Sequence, residues 1–470
     1  MNKYKRLLNN SIWNFLGNSG SKLISFILFP FYTKWLGTEG YGFSDLITTY
    51  SSLFGGIVTL SLSDAILIFI KNADDKKKYY SSIIGAVTTF FVIWLLLSFI
   101  FKTFGYNNGF IFENLYYILF VIITNFLQTS SQQMALALDK IKVYAFSGII
   151  YCLLIFFFSW VLIPLYGVIG YIYAMILSNI ITALYSVIMT CSWRYLSLTS
   201  IRINAILEVL KYSVPLIPNA IMWWLVSSLN RPLLENHLGL SAIGIFAVAN
   251  KFPAIITMLF SIFSTSWTIS VIEEYNKPKF DTFYNTVYKV LFSIIVILSL
   301  LLMLFSKWII CIFTPSEFHI AYRYMLILII SSVFSCMASY FGTCFAVVKE
   351  SKYFFYSTLW GAVTAVIFNY VLIPRFAIYG AAISMLLSFF ISAASRYLYS
   401  LKFVNAKVHY TTFLYSLLMC CTVLSILFID SFVLHSIIVA VSMVIIFINS
   451  KKDFMPIYSY LTNMFYNRNR

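Results

Sequence analysis

The sequence predicts an all-α integral membrane protein of about 14 transmembrane helices, built as two parallel six-helix lobes followed by two extra helices. Three observations carry that prediction: an apolar composition, the spacing of the apolar runs, and an internal repeat. Of the 470 residues, 61% are hydrophobic and only 10% are charged, and the mean hydropathy is +0.88. Water-soluble domains place charge on about a quarter of their residues, so this chain lacks the polar surface that water demands. Its apolar runs reach the roughly 20 residues of a membrane helix, whereas barrel strands would be about 10 residues long and alternating.

In the first half the runs fall at 8–34, 41–70, 80–101, 112–138, 143–164 and 167–191. The second half repeats the count at 209–231, 240–272, 284–305, 320–348, 353–374 and 377–401. Two more follow at 410–429 and 432–450. The segment KWIICIF at 307–313 is expected to be a loop or re-entrant turn. With the first residues in the cytoplasm, six basic residues lie outside: Lys34, Lys102, Arg231, Lys307, Arg323 and Arg375. Lys22 and Lys251 lie within spans, and the other 24 of the 32 Lys and Arg, Arg396 among them, fall on the cytoplasmic side. That is the positive-inside bias, and it places both termini in the cytoplasm. The opening MNKYKRLLNNSIW lacks the short apolar core and cleavage site of a signal peptide and reads as the lead-in to a retained helix.

The repeat fixes the architecture. LGTEGYG at 36–42 matches LGLSAIG at 238–244, an offset of 202. LIPLYGVIGYIYAMILS at 162–178 matches LIPRFAIYGAAISMLLS at 372–388, an offset of 210, with Gly170 against Gly380 and Met175 against Met385. Six spans per repeat give both halves the same sense in the membrane, as in parallel-repeat transporters. The expected organisation is a first lobe at 1–191, a cytoplasmic interfacial linker helix at 192–211 with Asn204 as its N-cap, a second lobe at 212–401, and two extra helices with a cytoplasmic tail at 402–470.

Several function classes fall away. The net charge of +16 is spread over short loops, the pattern of topology signals and anionic-lipid contacts, so the expected partner is the membrane and no nucleic acid. Seven cysteines without a C-x-x-C and four scattered histidines offer no metal spacing, and no metal or cofactor is expected. There is no phosphate-binding G-x-x-x-x-G-K-[ST], no triad, and no acidic pair in a long outer loop. The chain reads as a carrier and not as an enzyme.

Polar residues inside the spans remain. A mid-bilayer charge costs about 3 kcal/mol on insertion scales, so such groups face a bundle interior or a wet cavity. Lys22 lies 12 residues from Lys34 and 16 from Arg6, with Asn18 close by. It either pairs with Asp64, or snorkels, or joins Lys251 as fixed positive charge facing an anionic group between the halves. Asp64 has three readings: a partner of Lys22, a proton or sodium site, or a residue near Lys71 that reaches water. Span seven (VPLIPNAIMWWLVSSLNR) holds Asn219, Trp223, Trp224 and Arg231, and span eight holds Asn250 and Lys251 before Pro253. The tryptophans serve either packing or sugar stacking, and Pro30, Pro215, Pro218 and Pro253 mark kinks.

The segment GSKLISFILFPFYTKWLGTEGYGFSDLITTYSSLF resembles the opening of the polysaccharide-biosynthesis branch of the multidrug/oligosaccharidyl-lipid/polysaccharide exporter superfamily. LKYSVPLIPNAIMWWLVSSLNRPLLENHLGLSAIGIFAVANKFPAI resembles the start of that family's second half. The resemblance implies a bacterial inner-membrane flippase of the Wzx type. It would move undecaprenyl-diphosphate-linked oligosaccharide repeat units outward for O-antigen, capsule or a related glycan, in company with a glycan polymerase and assembly proteins. It implies a fold like the MATE transporters and the lipid II flippase, with a cationic cavity lined by spans one, two, seven and eight. On that pattern Lys22, Lys251 and Arg231 face the diphosphate. Asn18, Asn219, Asn250, Trp223 and Trp224 complete the substrate site, and Asp64 is the candidate for proton or sodium coupling. The relatives favour arginine in the cavity; lysine presents a point charge in its place. The rival readings are an ion-coupled small-molecule antiporter on the same fold and a membrane glycosyltransferase or polymerase.

Overall fold

In a computed structural model the chain forms two compact units, residues 1–224 and 225–470. The structure describes residues 3–71, 73–104, 109–348, 350 and 352–468, without the side chains of 3–19, 21–23, 265 and 452–468. The first unit holds α1 (Lys3–Val58), α2 (Leu62–Lys71), α3 (Lys76–Thr103), α4 (Phe110–Glu113), α5 (Leu115–Ala137), α6 (Ile141–Tyr166), α7 (Val168–Thr190) and α8 (Ile203–Ser213). Helix α9 (Leu216–Ser228) carries the chain into the second unit. There follow α10 (Asn230–Leu238), α11 (Leu240–Lys251), α12 (Pro253–Glu274), α13 (Phe280–Leu304), α14 (Ser306–Phe313), α15 (Ala321–Val347), α16 (Lys352–Ser400), α17 (Tyr410–Phe428) and α18 (Phe432–Arg468).

Among the described residues, 10 helices are long and apolar enough to cross a membrane, or 11 if the bent pair of α1 and α2 is one span. The number falls short of fourteen for physical reasons. Helix α16 runs 49 residues as one rod with a backbone break at Ala377, and α1 breaks in the same way at Gly37. Helix α5 has the length of a span but carries Asn125, Gln128, Gln132 and Gln133, which lower its hydropathy. Those polar groups work inside the unit: Gln128 is buried and Gln132 Nε2 donates to Ser147 Oγ of α6 at 2.9 Å.

The two halves share their backbone irregularities at the repeat offsets. Gly37 (φ 64°, ψ −173°) corresponds to Gly239 (φ 78°, ψ −176°). Gly167 (φ 58°, ψ −139°) corresponds to Ala377 (φ 53°, ψ −130°), each three residues after a proline, Pro164 or Pro374. A Cβ added at Gly170 would collide with the carbonyl of Leu162, and one added at Gly380 with the carbonyl of Leu372. Ser178 Oγ donates to Ala174 O at 2.6 Å, and Ser388 Oγ to Ser384 O at 2.6 Å. The shared letters of the repeat are therefore the residues that this tight helix-to-helix crossing needs.

The buried face of α2 (Leu62, Ala65, Ile66, Ile70) packs with Tyr80 and Ile83 of α3, Phe126 and Met134 of α5, and Val209 of α8. Helix α8 is thus held on the first unit, and Tyr79 OH donates to Glu208 Oε2 at 2.9 Å across the seam. Its opposite side exposes Ile203 and Leu207. The helix starts at Ile203 behind Arg202, so Asn204 sits in its first turn and is not the N-cap. Two further expectations are revised, for the 307–313 segment and for Arg396. The 307–313 segment is helical, α14. Helices α17 and α18 belong to the second compact unit, where Ser450 Oγ meets Ser293 Oγ of α13 at 2.8 Å and Tyr415 OH of α17 at 3.0 Å. Arg396, counted with the cytoplasmic loops, is buried within α16 and donates to Ser357 Oγ (3.2 Å), Ala338 O (3.1 Å) and Thr358 Oγ1 (3.2 Å).

Candidate functional site

The continuous helix expected through 41–70 breaks just before Asp64. Leu60 and Ser61 both take positive φ, 51° and 52°, a conformation that costs non-glycine residues about 1–3 kcal/mol each. Helix α2 leaves α1 at a bend of 53°. Thr59 Oγ1 donates to Gly55 O at 2.7 Å and Ser61 N to Gly56 O at 3.1 Å, so the break is braced from within. Asp64 then stands in the first turn of α2, where the helix dipole favours a carboxylate.

Beside the break lies a cavity of about 370 Å³ in the first unit. Its wall is rich in hydroxyls: Thr48, Ser51, Ser52, Thr59, Ser61 and Ser63 line it together with Asp64. Asn125 and Thr129 of α5, Met175 of α7 and Ala220 of α9 close it. Asp64 is exposed, and among the described residues no hydrogen bond or ion pair engages its carboxylate. The Ser51 hydroxyl is buried without a partner. This arrangement can hold a proton or a hydrated cation opposite one carboxylate. Of the pocket, the sequence showed only Asp64. Serine and threonine in membrane helices usually bond their own backbone, so the hydroxyl lining left no distinct signal.

The other predicted site residues divide between the units. Asn219 and Trp223 are exposed one turn apart on α9, while Trp224 is buried and its Nε1 donates to Thr49 O at 3.0 Å. That bond holds the Trp224 ring against α1. In the second unit, Lys251 ends α11 and is half-buried next to half-buried Asn250. Pro253 follows and supplies no N–H, so the helix restarts as α12, and Lys251 sits where carbonyls at a helix C-terminus favour a cation. Arg231 is buried, with Nη1 donating to Ser227 O (2.9 Å) and Asn230 Oδ1 (3.1 Å) and its guanidinium 5.4 Å from the Phe246 ring. Asn18 and Lys22 have their side chains outside the described residues. No group of three or more His, Cys, Asp and Glu suited to a metal occurs among the described residues.

Comparison with known proteins gives the family. The sequence profile described as polysaccharide biosynthesis protein matches residues 7–276, and the MatE profile matches residues 215–371. No curated protein matches the chain in sequence. Among solved structures, the lipid II flippase MurJ in an inward closed conformation superposes with a TM-score of 0.70 at 18% identity, covering 95% of this chain and 99% of that one. An inward-facing multidrug resistance MATE transporter of the MOP superfamily gives 0.59 at 16% identity, covering 84% and 93%. A Pyrococcus furiosus MOP superfamily transporter, described as having a binding pocket of reverse polarity, gives 0.54 at 18% identity, covering 85% and 95%. The chain belongs to the polysaccharide biosynthesis protein family, and it has the helical fold of the MOP superfamily transporters.

Proposed function

We propose that the protein is a flippase of the bacterial inner membrane, with both termini cytoplasmic, that moves undecaprenyl-diphosphate-linked oligosaccharide repeat units outward by alternating access. The glycan would be an O-antigen, a capsule or a related polymer, with a glycan polymerase and assembly proteins as partners. The observation that carries this reading is the match to the polysaccharide biosynthesis family over residues 7–276. The likeness in fold to a lipid II flippase supports it. A diphosphate bearing sugars cannot cross hydrocarbon unaided, because desolvating its charge is prohibitive. Lys22 and Lys251, one from each half, counter that charge, with Asn18, Asn219, Asn250 and Trp223 contacting sugar. Arg231 and Trp224 support the site through the hydrogen bonds described above. Asp64, in its hydroxyl-lined cavity, couples movement to a proton or sodium gradient.

The test is a Lys22→Ala, Lys251→Ala double variant at matched expression. Surface glycan is expected to fall about tenfold or more, the worth of a lost charged hydrogen bond, with lipid-linked repeat units accumulating in the cytoplasmic leaflet. Wild-type glycan would remove the paired-cation role. Asp64→Asn is expected to abolish the response of translocation to imposed pH or sodium gradients; an unchanged response removes Asp64 from coupling. The match of residues 215–371 to the MatE profile favours a small-molecule antiporter as the second reading. Cation-driven drug efflux with unaltered glycan in a deletion strain would establish it.

A further inference from the structure

Helix α3 has two working faces. Tyr80, Ile83 and Val87 pack inward with α2, α5 and α8, and the opposite side of the helix lines a groove of about 660 Å³. Its floor is Ser81, Gly85, Thr88, Val92 and Ile93, and its roof is the segment 196–201 that leads into α8. Two serines of α3 fasten the roof. Ser81 Oγ donates to Tyr195 O at 2.8 Å and accepts from Ser197 N at 2.9 Å, and Ser82 Oγ accepts from Arg202 N at 3.0 Å. Between these pins Ile201 sits over Gly85, where an added Cβ would lie 2.9 Å from its Cδ1. Thr88 and Thr89 turn their hydroxyls back onto Ile84 O (2.8 Å) and Gly85 O (2.9 Å). The lower groove is therefore walled by methyl and methylene groups.

Positive charge gathers at one end of this groove. Lys78 and Lys77 stand three and four residues before Ser81, one turn up the same side of α3. Arg194 and Arg202 flank the two pins of the roof. Lys77, Arg194 and Arg202 are exposed, and Lys78 Nζ lies 5.2 Å from the Tyr79 ring. Three acidic residues share the region. Asp75 Oδ1 accepts from Lys78 N at 2.9 Å, Glu208 Oε2 accepts from Tyr79 OH at 2.9 Å on the α8 side, and Asp74 is exposed. From Ser81 to Ile93 the floor runs about 18 Å at 1.5 Å per residue, close to the roughly 15 Å of hydrocarbon in one leaflet. We infer that the groove binds an anionic diacyl phospholipid, with one acyl chain along α3 under the 196–201 roof and the phosphate met by Lys77 and Arg202. Basic pockets at a membrane surface recognise anionic headgroups by this charge complementarity, and the one-leaflet length suits an acyl chain. A long polyprenyl chain would leave most of its length outside. The lipid also clamps the start of α8 to α3, because the roof runs directly into that helix. The site shares no residue with the Asp64 cavity and does not depend on the flippase reading.

The experiment titrates the full-length protein in detergent with phosphatidylglycerol, phosphatidylethanolamine or undecaprenyl phosphate and reads bound lipid by native mass spectrometry. Phosphatidylglycerol is expected to bind about tenfold more tightly than phosphatidylethanolamine of the same chains, and Lys77→Gln, Arg202→Gln to remove that preference. Thr88→Trp fills the floor and is expected to abolish the binding. Leu96→Trp, an equal bulk two turns further along α3, exposed and outside the groove, leaves it unchanged. Hydrogen exchange gives a second reading in vesicles: the amides of 196–202 are expected to exchange more slowly with phosphatidylglycerol present than with phosphatidylethanolamine alone. That difference disappears in Lys77→Gln, Arg202→Gln, which carries the test by itself should Thr88→Trp fail to assemble. Equal binding of the two phospholipids, or a charge variant that binds and exchanges like wild type, overturns the inference. Tighter binding of undecaprenyl phosphate than of phosphatidylglycerol overturns it too, and assigns the groove to a prenyl lipid.

Discussion

Ala377 occupies a backbone position that its counterpart in the first half, Gly167, fills without a side chain. At φ 53° and ψ −130° an alanine is strained, and the strain of such regions is about 1–3 kcal/mol. Ala377→Gly is therefore expected to raise the thermal unfolding midpoint in detergent, by relief of about 1 kcal/mol net of the glycine's added chain entropy. Three residues on, Gly380→Ala has the opposite sign, because the new Cβ meets the rigid carbonyl of Leu372. A loss of several kcal/mol or failure to insert is expected, since overpacking against backbone cannot be relaxed by a rotamer change. Trp224→Phe keeps the packing but deletes the Nε1 bond to Thr49 O. It is expected to cost only about 1 kcal/mol, the net worth of one hydrogen bond, because Thr49 O still accepts from Ser52 Oγ at 2.8 Å.

At the scale of elements, broken helices decide what the molecule presents. The α1–α2 break opens a polar cavity in an otherwise apolar unit, and the α11–α12 break sets Lys251 at a helix end. Helices α17 and α18 are held on α13 by the Ser293–Ser450–Tyr415 hydroxyl cluster and by Tyr288 OH with Thr412 Oγ1 at 3.3 Å. The Lys307–Asp430 ion pair at 3.3 Å is exposed on both sides and adds little. Ser293→Val is expected to loosen α17–α18 first, which protease accessibility of the turn between them would report, whereas Lys307→Ala leaves that accessibility unchanged.

For the whole molecule, the membrane character and the doubled architecture were readable in the sequence because bilayer helices advertise themselves by length and the crossing glycines recur in register. The site was less readable. Arg396 looked like a topology charge, since counting basic residues says nothing of the acceptors that Ser357, Thr358 and Ala338 bring to it. The break at Leu60–Ser61 follows neither a proline nor an adjacent glycine, so no local signal announces it. The buried contact of Asn179 Nδ2 on α7 with Thr124 Oγ1 on α5 at 3.3 Å is visible only when the two helices are laid face to face.

The paired defects at Gly167 and Ala377, and at Gly170 and Gly380, make each half a built-in control for the other. A substitution at a position between 162 and 178 can be repeated 210 residues later in the same chain, membrane and expression host. Where the two variants fail alike, the position serves the architecture. Where they diverge, the difference isolates what one half alone is asked to do, and the Asp64 side of the molecule is where that divergence should be largest.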